Sequence, residues 1–294
     1  MTILTQEQTK RICDRVLSLS KADECIVGIG GERNGNIRFA RNAVSTAGLT
    51  DDTTLTVRVA FGKRQGTASI NEFDDKSLEK AVRRAEDLAR LAPENPEFMP
   101  AVAKQQYKAS NTFVQKTADI DPEIRAQAAA YAIEACRKKG LVSAGFLSDS
   151  TSFQTVANSN GVFGHQALTS LDFTCTIRTE DGRGSGWVTR SARDLARFDP
   201  REAADVAIEK ALRSVDAKAL EPGRYTVILE PAATSDLMNY MMNGFDARRS
   251  DEGRSFLSKQ GGLNRVGDSS SVRCRPTRCR SIRPITRCAC SEEP

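Results

Sequence analysis

The chain has 294 residues, of which 39% are hydrophobic and 28% charged, which is enough for one large or two ordinary globular domains. Apolar runs such as 225–229 (YTVIL) are far shorter than the roughly 20 residues of a membrane span, and residues 1–16 (MTILTQEQTKRICDRV) carry no secretory signal. We therefore expect a cytoplasmic protein without membrane contact. The formal net charge is +5, but residues 269–294 hold six arginines and two glutamates. The remaining chain is nearly neutral, so nucleic acid is not expected as a partner.

Residues 1–92 are predicted to form a first unit of helix, antiparallel strands and helix. Thr5 and Gln8 have the spacing of a capping box ahead of an amphipathic helix. Residues 55–61 (LTVRVAF) alternate between apolar and polar side chains, which is typical of a half-buried strand. A closing helix is predicted after Asp74. Three prolines near the start of residues 93–120 predict an extended connector.

Residues 121–220 are predicted to repeat this order of elements. Asp121-Pro122 and Asp199-Pro200 are start signals for two helices, and residues 171–177 (LDFTCTI) repeat the strand pattern at an offset of 116 residues. The same offset relates Asn42 to Asn158, Gly48 to Gly164 and Gly66 to Gly182. The sequence therefore predicts an α+β fold in which a duplicated helix, antiparallel-strands and helix unit forms the amino-terminal α/β domain.

A third region is predicted to begin at residues 221–268. Pro222-Gly223 marks the boundary, and residues 224–230 are rich in β-forming side chains, which predicts a short strand. A helix is predicted from about Pro231 to Asn243, followed by a polar loop.

Residues 269–294 differ in composition from the rest of the chain. They are rich in arginine, cysteine, serine and proline and contain no lysine, glycine or aromatic residue, which predicts disorder. Three interpretations are open: out-of-frame translation of a GC-rich gene, a basic nucleic-acid-binding arm, and a metal-binding knuckle. The third has to use Cys274, Cys279, Cys288 and Cys290, which lack the paired spacing of structural zinc sites.

A single histidine, His165, argues against catalytic zinc and against hydrolases that use a histidine base. We interpret His165 as a structural residue at the start of a strand. Two glycine-rich segments, 28–35 (GIGGERNG) and 182–187 (GRGSGW), match neither a dinucleotide-binding fingerprint nor a phosphate-binding loop. They predict hairpin turns, and Trp187 is interpreted as a packing residue of the second hairpin.

The remaining candidate for chemistry is the charged segment 245–262 (FDARRSDEGRSFLSKQGG). One interpretation is a solvated surface, on which exposed charges contribute little. The other is a loop whose arginines and backbone amides hold an extended peptide or a carboxylate. The candidate substrate-binding residues are Arg248, Asp251, Glu252, Gly253, Arg254 and Ser255.

Four segments together resemble the TldD/PmbA family, whose members were once called modulators of DNA gyrase and are now regarded as related to metallopeptidases. They are NIRFARNAVSTAG, VANSNGVFGHQALTSLDFTCTIRTEDGRGSGWV, PGRYTVILEPAATSDLMNYM and FDARRSDEGRSFLS. The resemblance covers about residues 1–267. It implies a largely β carboxy-terminal domain after the α/β region, so that residues 221–268 are expected to be the beginning of a truncated or frameshifted domain.

The resemblance also implies two kinds of subunit. TldD-like members carry a His-Glu-x-x-x-His zinc motif, whereas PmbA-like (TldE-like) members lack it and pair with the zinc-bearing subunit around a chamber where small unfolded peptides are cleaved. Here Glu230 and Ser235 occupy the positions of the two histidines. A carboxylate with a hydroxyl does not supply the nitrogen ligands that hold zinc. We therefore expect no cofactor and no catalytic residue in this chain, with zinc only in a partner subunit.

Three functions compete on this basis. The first, which we favour, is a non-zinc member of a metallopeptidase system, with a TldD-like subunit or a second copy as partner and a small unfolded peptide as substrate. The second is a stand-alone metallopeptidase with non-standard ligands such as the tail cysteines. The third is a non-enzymatic regulatory protein that holds nucleic acid through residues 269–294, so deletion of that tail separates the third function from the first.

Overall fold

The computed structural model describes residues 3–258. The chain divides into two compact units, Met1–Leu220 and Glu221–Pro294. The arginine- and cysteine-rich residues 269–294 lie outside the described residues, so the three interpretations of the tail stay predictions.

The first unit contains two groups of elements in the same order. The first group comprises α1 (Gln6–Leu19), β1 (Glu24–Ala40), β2 (Ala43–Phe61), β3 (Arg64–Ile70) and α2 (Asp75–Leu91). The second comprises the short α3 (Gln115–Ala118), then α4 (Pro122–Lys138), β4 (Leu141–Asn158), β5 (Phe163–Thr179), β6 (Ser185–Ala192), a 3₁₀ turn (Leu195–Arg197) and α5 (Pro200–Arg213). The predicted α+β fold with a duplicated unit is confirmed.

The helices begin where their N-cap side chains predict. The side chain of Thr5 accepts a hydrogen bond from the amide of Gln8, whose own side chain accepts from the amide of Thr5. Asp74, Asp121 and Asp199 accept from backbone amides in the first turns of α2, α4 and α5. These bonds satisfy amides that the first helical turn leaves without an acceptor.

The six strands described form one antiparallel sheet in the order β3-β2-β1-β4-β5-β6. The two repeats join at the centre, where β1 runs antiparallel to β4 and Asn34 lies opposite Ser150. Antiparallel partners point to the same face of a sheet. The buried apolar residues of β1 and β4, such as Val27, Phe39, Leu147 and Phe153, have odd numbers, and they pack against helices from both groups. The helices of both repeats therefore cover one face.

Two apolar clusters lie side by side on that face. One packs α1 and α2 on one end of the central strands, and it includes Val16, Leu55 and Val82. The other packs α4 and α5 on the opposite end, and it includes Phe173 and Ile208. Each fully buried aliphatic or aromatic side chain contributes about 1.5–3 kcal/mol of transfer free energy, so the two clusters stabilise the two halves of the sheet.

A buried ion pair lies near the junction of the two repeats. Two guanidinium nitrogens of Arg125, on α4, donate to the carboxylate of Asp149 on β4 at 2.5 and 3.0 Å. One of them also donates to the carbonyl of Ile120. The guanidinium crosses β1 at Gly35, where a Cβ would come within 1.8 Å of it. Gly35 is therefore needed to make room for this ion pair.

The hairpin turn predicted at residues 28–35 is wrong, because this segment lies inside the continuous strand β1. Gly31 and Gly35 of this segment make room for side chains of the neighbouring strands and of α4. At Gly31 a Cβ would lie 2.5 Å from the ring of Phe153 and 2.7 Å from the hydroxyl of Thr53. The predicted turn at 182–187 is confirmed in part, since Gly182 has a positive φ of 72°, whereas Ser185 already begins β6.

The predicted equivalence of Gly66 and Gly182 is also wrong. Gly66 lies in β3 against α2, where a Cβ would come within 2.1 Å of the carbonyl oxygen of Ala85. The glycine with the same role in the second repeat is Gly186, at 2.0 Å from the carbonyl oxygen of Ala207. The offset changes because a longer turn joins β5 to β6 than joins β2 to β3.

In the second unit, helix α6 (Pro231–Met242) confirms the helix predicted from about residue 231, and a short α7 (Ala247–Asp251) follows. The strand predicted at residues 224–230 does not form. A strand needs a partner for its backbone groups, and residues 221–258 contain no second extended segment paired with it. Val227 and Ile228 are consequently exposed.

Candidate functional site

The predicted peptide-holding residues lie together in α7 and the turn that follows it. Asp246 caps α7 by accepting from the amide of Arg249. Gly253 has a positive φ of 75°, which turns the chain after the helix. The hydroxyl of Ser255 donates to the carbonyl of Gly244 and so closes the loop back to the end of α6.

Glu252 organises the charges of this loop. Its carboxylate accepts hydrogen bonds from Arg248, at 3.0 Å, and from Arg254. These bonds lower the pKa of Glu252, with the bond from Arg254 as the larger cause. Both arginines remain exposed to solvent. The loop therefore places two exposed guanidinium groups beside one carboxylate, an arrangement compatible both with a solvated surface and with binding of a carboxylate or peptide carbonyl.

The zinc position implied by the resemblance does not fit the metal. Glu230 is the N-cap residue of α6, and its carbonyl accepts from the amide of Thr234. Ser235 lies inside the helix. One carboxylate and one hydroxyl are oxygen donors, and zinc sites in proteins use imidazole or thiolate ligands for most of their coordination. No group of three or more histidine, cysteine or acidic side chains among residues 3–258 could hold a metal ion.

A cavity of about 630 Å³ in the first unit was missed by the sequence analysis. It lies on the helix-covered face, and its charged lining comes from Arg33 on β1, Asp51 on β2 and Asp119 after α3. Its apolar lining comes from Ile3, Leu4, Leu49, Phe113, Ala118 and Ala167. One sequence feature could have predicted this cavity. Charged residues at positions 33 and 51 interrupt the apolar odd-numbered positions of β1 and β2.

His165 lies at the edge of this cavity, on β5. Its Nδ1 is 2.8 Å from the hydroxyl of Thr155 and 3.2 Å from that of Thr9, and its ring stacks on Phe153. Burial lowers the pKa of His165 below its ordinary value of 6.5. A neutral imidazole held by two threonines fits the structural interpretation of this residue.

The cysteines of the described residues are not candidates for catalysis. Cys13, Cys25, Cys136 and Cys175 are buried and free. Burial raises the pKa of Cys13 and Cys175 to about 12 and that of Cys25 and Cys136 to about 11. Since the thiolate is the reactive form, these four residues act as small buried apolar side chains.

Two family models match the chain. The model described as PmbA/TldA metallopeptidase domain 1 matches residues 27–89, and the model described as PmbA/TldA metallopeptidase central domain matches residues 107–215. Together they cover more than half of the 294 residues. The chain belongs to the PmbA/TldD family. The boundary between the two matched segments falls in the connector that separates the two repeats of this PmbA/TldD protein.

Solved structures show the same fold. TldE from Thermococcus kodakarensis has 18% identity and a TM-score of 0.63 over 69% of this chain and 47% of that one. A protein from Thermotoga maritima described as a candidate modulator of a DNA gyrase has 18% identity and a TM-score of 0.76, over 85% of this chain and 58% of that one. A similarly described protein from Bacteroides thetaiotaomicron has 20% identity and a TM-score of 0.72, over 87% and 61%.

This PmbA/TldD protein thus spans less than two thirds of the length of each of these three structures. No curated protein matches it significantly. Within residues 3–258, no helix combines the length and the apolar composition needed to cross a bilayer.

Proposed function

We propose that this PmbA/TldD protein is the non-zinc partner subunit of a metallopeptidase system that acts on small unfolded peptides. The observation that carries the proposal is the oxygen-only donor set at Glu230 and Ser235, on a chain whose family models are described as metallopeptidase domains. The chain's single histidine is engaged with two threonines in the other unit. A peptidase reaction in this system would therefore take its metal from another subunit.

The role of this chain would be to hold the peptide. Arg248 and Arg254 share the carboxylate of Glu252, and both guanidinium groups stay exposed. A guanidinium in this position can donate to a peptide carbonyl or a terminal carboxylate. Asp251, Gly253 and Ser255 complete the loop whose backbone would face the peptide.

Reconstitution of peptide hydrolysis tests the proposal. The chain alone should not cleave a short unfolded peptide, and addition of a zinc-bearing TldD-like subunit from the same organism should produce hydrolysis above that of either protein alone. The double variant Arg248→Gln/Arg254→Gln should raise KM with little change in kcat, because it removes binding and leaves the metal chemistry intact.

A matched control is Arg213→Gln, which removes another exposed arginine that pairs with a glutamate, Glu209, on α5. This variant should behave as the unmodified chain. Hydrolysis by the chain alone would support a stand-alone peptidase and contradict the proposal. Loss of DNA binding on deletion of residues 269–294 would support the nucleic-acid-binding function. We expect this deletion to change neither DNA binding nor peptide hydrolysis. A cytoplasmic location belongs to the same proposal.

A further inference from the structure

A gap separates the two apolar clusters on the helix-covered face of the sheet. On β1, Ile29 belongs to one cluster and Ile37 to the other. Midway between them, on the same face, the strand carries the charged residue Arg33. The cavity of about 630 Å³ lies over this gap. Its volume is within the range of small-molecule sites, about 300–1,000 Å³, and such sites are common where two folded units meet.

Both repeats supply the walls of this cavity. The first repeat contributes Ile3 and Leu4, which precede α1, and Leu49 on β2. The second contributes Ala118 on α3 and Ala167 on β5. Neither repeat forms the cavity alone. Because these side chains are apolar, a ligand that places an apolar group between them removes that group from water, which favours binding.

Two polar side chains on the floor of the cavity lack partners among the described residues. Arg33 on β1 lies directly opposite Thr151 on β4, so the two side chains are neighbours on one face. No hydrogen bond or ion pair within residues 3–258 involves the guanidinium of Arg33 or the hydroxyl of Thr151. Thr151 is only 8% exposed. Buried hydroxyl groups are normally hydrogen-bonded, and at Thr151 the partner has to come from the cavity.

Acidic groups also line the cavity. Asp51 on β2 lies directly opposite Arg33 in the strand register, and Asp119 follows α3. The carboxylate of Asp119 accepts from the side chain of Gln115 at 2.8 Å and stays exposed, so it can accept further hydrogen bonds. A lining of one guanidinium and two carboxylates is complementary to a ligand with both a negative and a positive group, and it disfavours a simple anion.

We propose that this cavity binds a zwitterion with an apolar side chain, as found in a free apolar amino acid or in a short apolar peptide. Arg33 and Thr151 hold the carboxylate, because a guanidinium and a hydroxyl both donate to carboxylate oxygens. Asp119 accepts from the ammonium group. The apolar walls, which include Leu49, surround the side chain of the ligand.

Calorimetric titration of the full chain with leucine and with the dipeptide leucyl-leucine tests the inference. At least one of the two should show saturable binding to a single site. Tighter binding of leucine assigns the cavity to free amino acids, and tighter binding of the dipeptide assigns it to peptides. The preferred ligand with its amino group acetylated, or with its carboxyl group amidated, loses one charge. Each blocked form should bind more weakly by roughly tenfold or more, because hydrogen bonds to charged groups are the stronger ones.

Three variants assign the contacts. Arg33→Gln should raise the dissociation constant by roughly tenfold or more, and Thr151→Val, which removes a hydroxyl at nearly constant shape, should raise it about threefold. Arg38→Gln is the matched control. Arg38 is an exposed arginine of the same strand, but it lies over the ring of Phe146 on the opposite face. This variant should bind as the unmodified chain does.

The NMR signal of His165 gives a second measurement, because this residue also lines the cavity. Its Cε1 proton resonance should shift on ligand binding to the unmodified chain and to Arg38→Gln, and an unchanged position in each ligand-free variant shows that the fold is intact. No binding of either ligand at millimolar concentrations would overturn the inference. Equal affinity of Arg33→Gln and the unmodified chain, or of the blocked and unblocked ligands, would also overturn it. These measurements use the chain without a peptidase, so their outcome is independent of the proposed function.

Discussion

At the scale of single residues, His165 is a reporter of the environment on the helix-covered face. Its Nδ1 lies between the hydroxyls of Thr9 and Thr155, and burial lowers its pKa below 6.5. Because the chain has one histidine, its Cε1 proton gives a single NMR titration. We predict a midpoint below 6.5, and a midpoint at or above 6.5 would show that the imidazole gains a charge partner on folding.

The same shift predicts a pH dependence of stability. The unfolded chain takes up the proton at pH near 6.5 and the folded chain only at lower pH, so the free energy of unfolding decreases as pH falls from 6.5 towards the folded pKa. Substitution of His165 by asparagine should remove this part of the pH dependence. Urea unfolding followed by the fluorescence of Trp187, the chain's one tryptophan, reports the first unit.

We predict that removal of one member of the Arg125–Asp149 ion pair lowers the free energy of unfolding more than replacement of both members by apolar residues. Their side chains are 6% and 10% exposed, so Asp149→Ala leaves a buried guanidinium without its carboxylate and should lower the free energy of unfolding by about 3–5 kcal/mol. The double variant Arg125→Met/Asp149→Leu should cost less than either single change. A double variant as destabilised as the sum of the singles would contradict this account.

At the scale of elements, helix α2 packs closely against β3 because Gly66 has no side chain. Gly66→Ala would place a methyl group within 2.1 Å of one backbone atom of α2 and 2.4 Å of another. We predict a loss of about 1–3 kcal/mol in the free energy of unfolding, which is typical of overpacking. Gly28→Ala is the control, since nothing lies within 4 Å of its added Cβ. Equal effects of the two changes would contradict the close contact.

The sequence predicted those elements whose signals are local. Caps such as Thr5 and Asp121 and the alternating residues 55–61 and 171–177 correctly placed helices and strands, because capping and alternation depend on neighbours in the chain. Gly31 and Gly35 were misassigned to a turn because the atoms for which they make room, on Phe153 and Arg125, are distant in sequence. A glycine that makes room for a distant side chain cannot be distinguished from a turn glycine by local pattern.

At the scale of the whole molecule, the internal duplication could be predicted from the sequence, but the strand pairing that joins the two repeats could not. The offset of 116 residues predicted two similar units, whereas the pairing of β1 with β4 depends on two strands more than a hundred residues apart in sequence. The cavity beside His165 was missed for the same reason, since its lining comes from four strands and from segments around α1 and α3. The candidate residues of the α7 loop could be grouped from sequence because they lie within eight positions of one another; their role stays a prediction.

We proposed that this PmbA/TldD protein contributes to a peptidase system without a metal of its own. The most direct test is the zinc content of the isolated full chain after incubation with zinc and exhaustive dialysis, measured by inductively coupled plasma mass spectrometry. The account predicts no stoichiometric zinc, because Glu230 and Ser235 offer only oxygen donors and His165 is engaged elsewhere. One zinc retained per chain would contradict it.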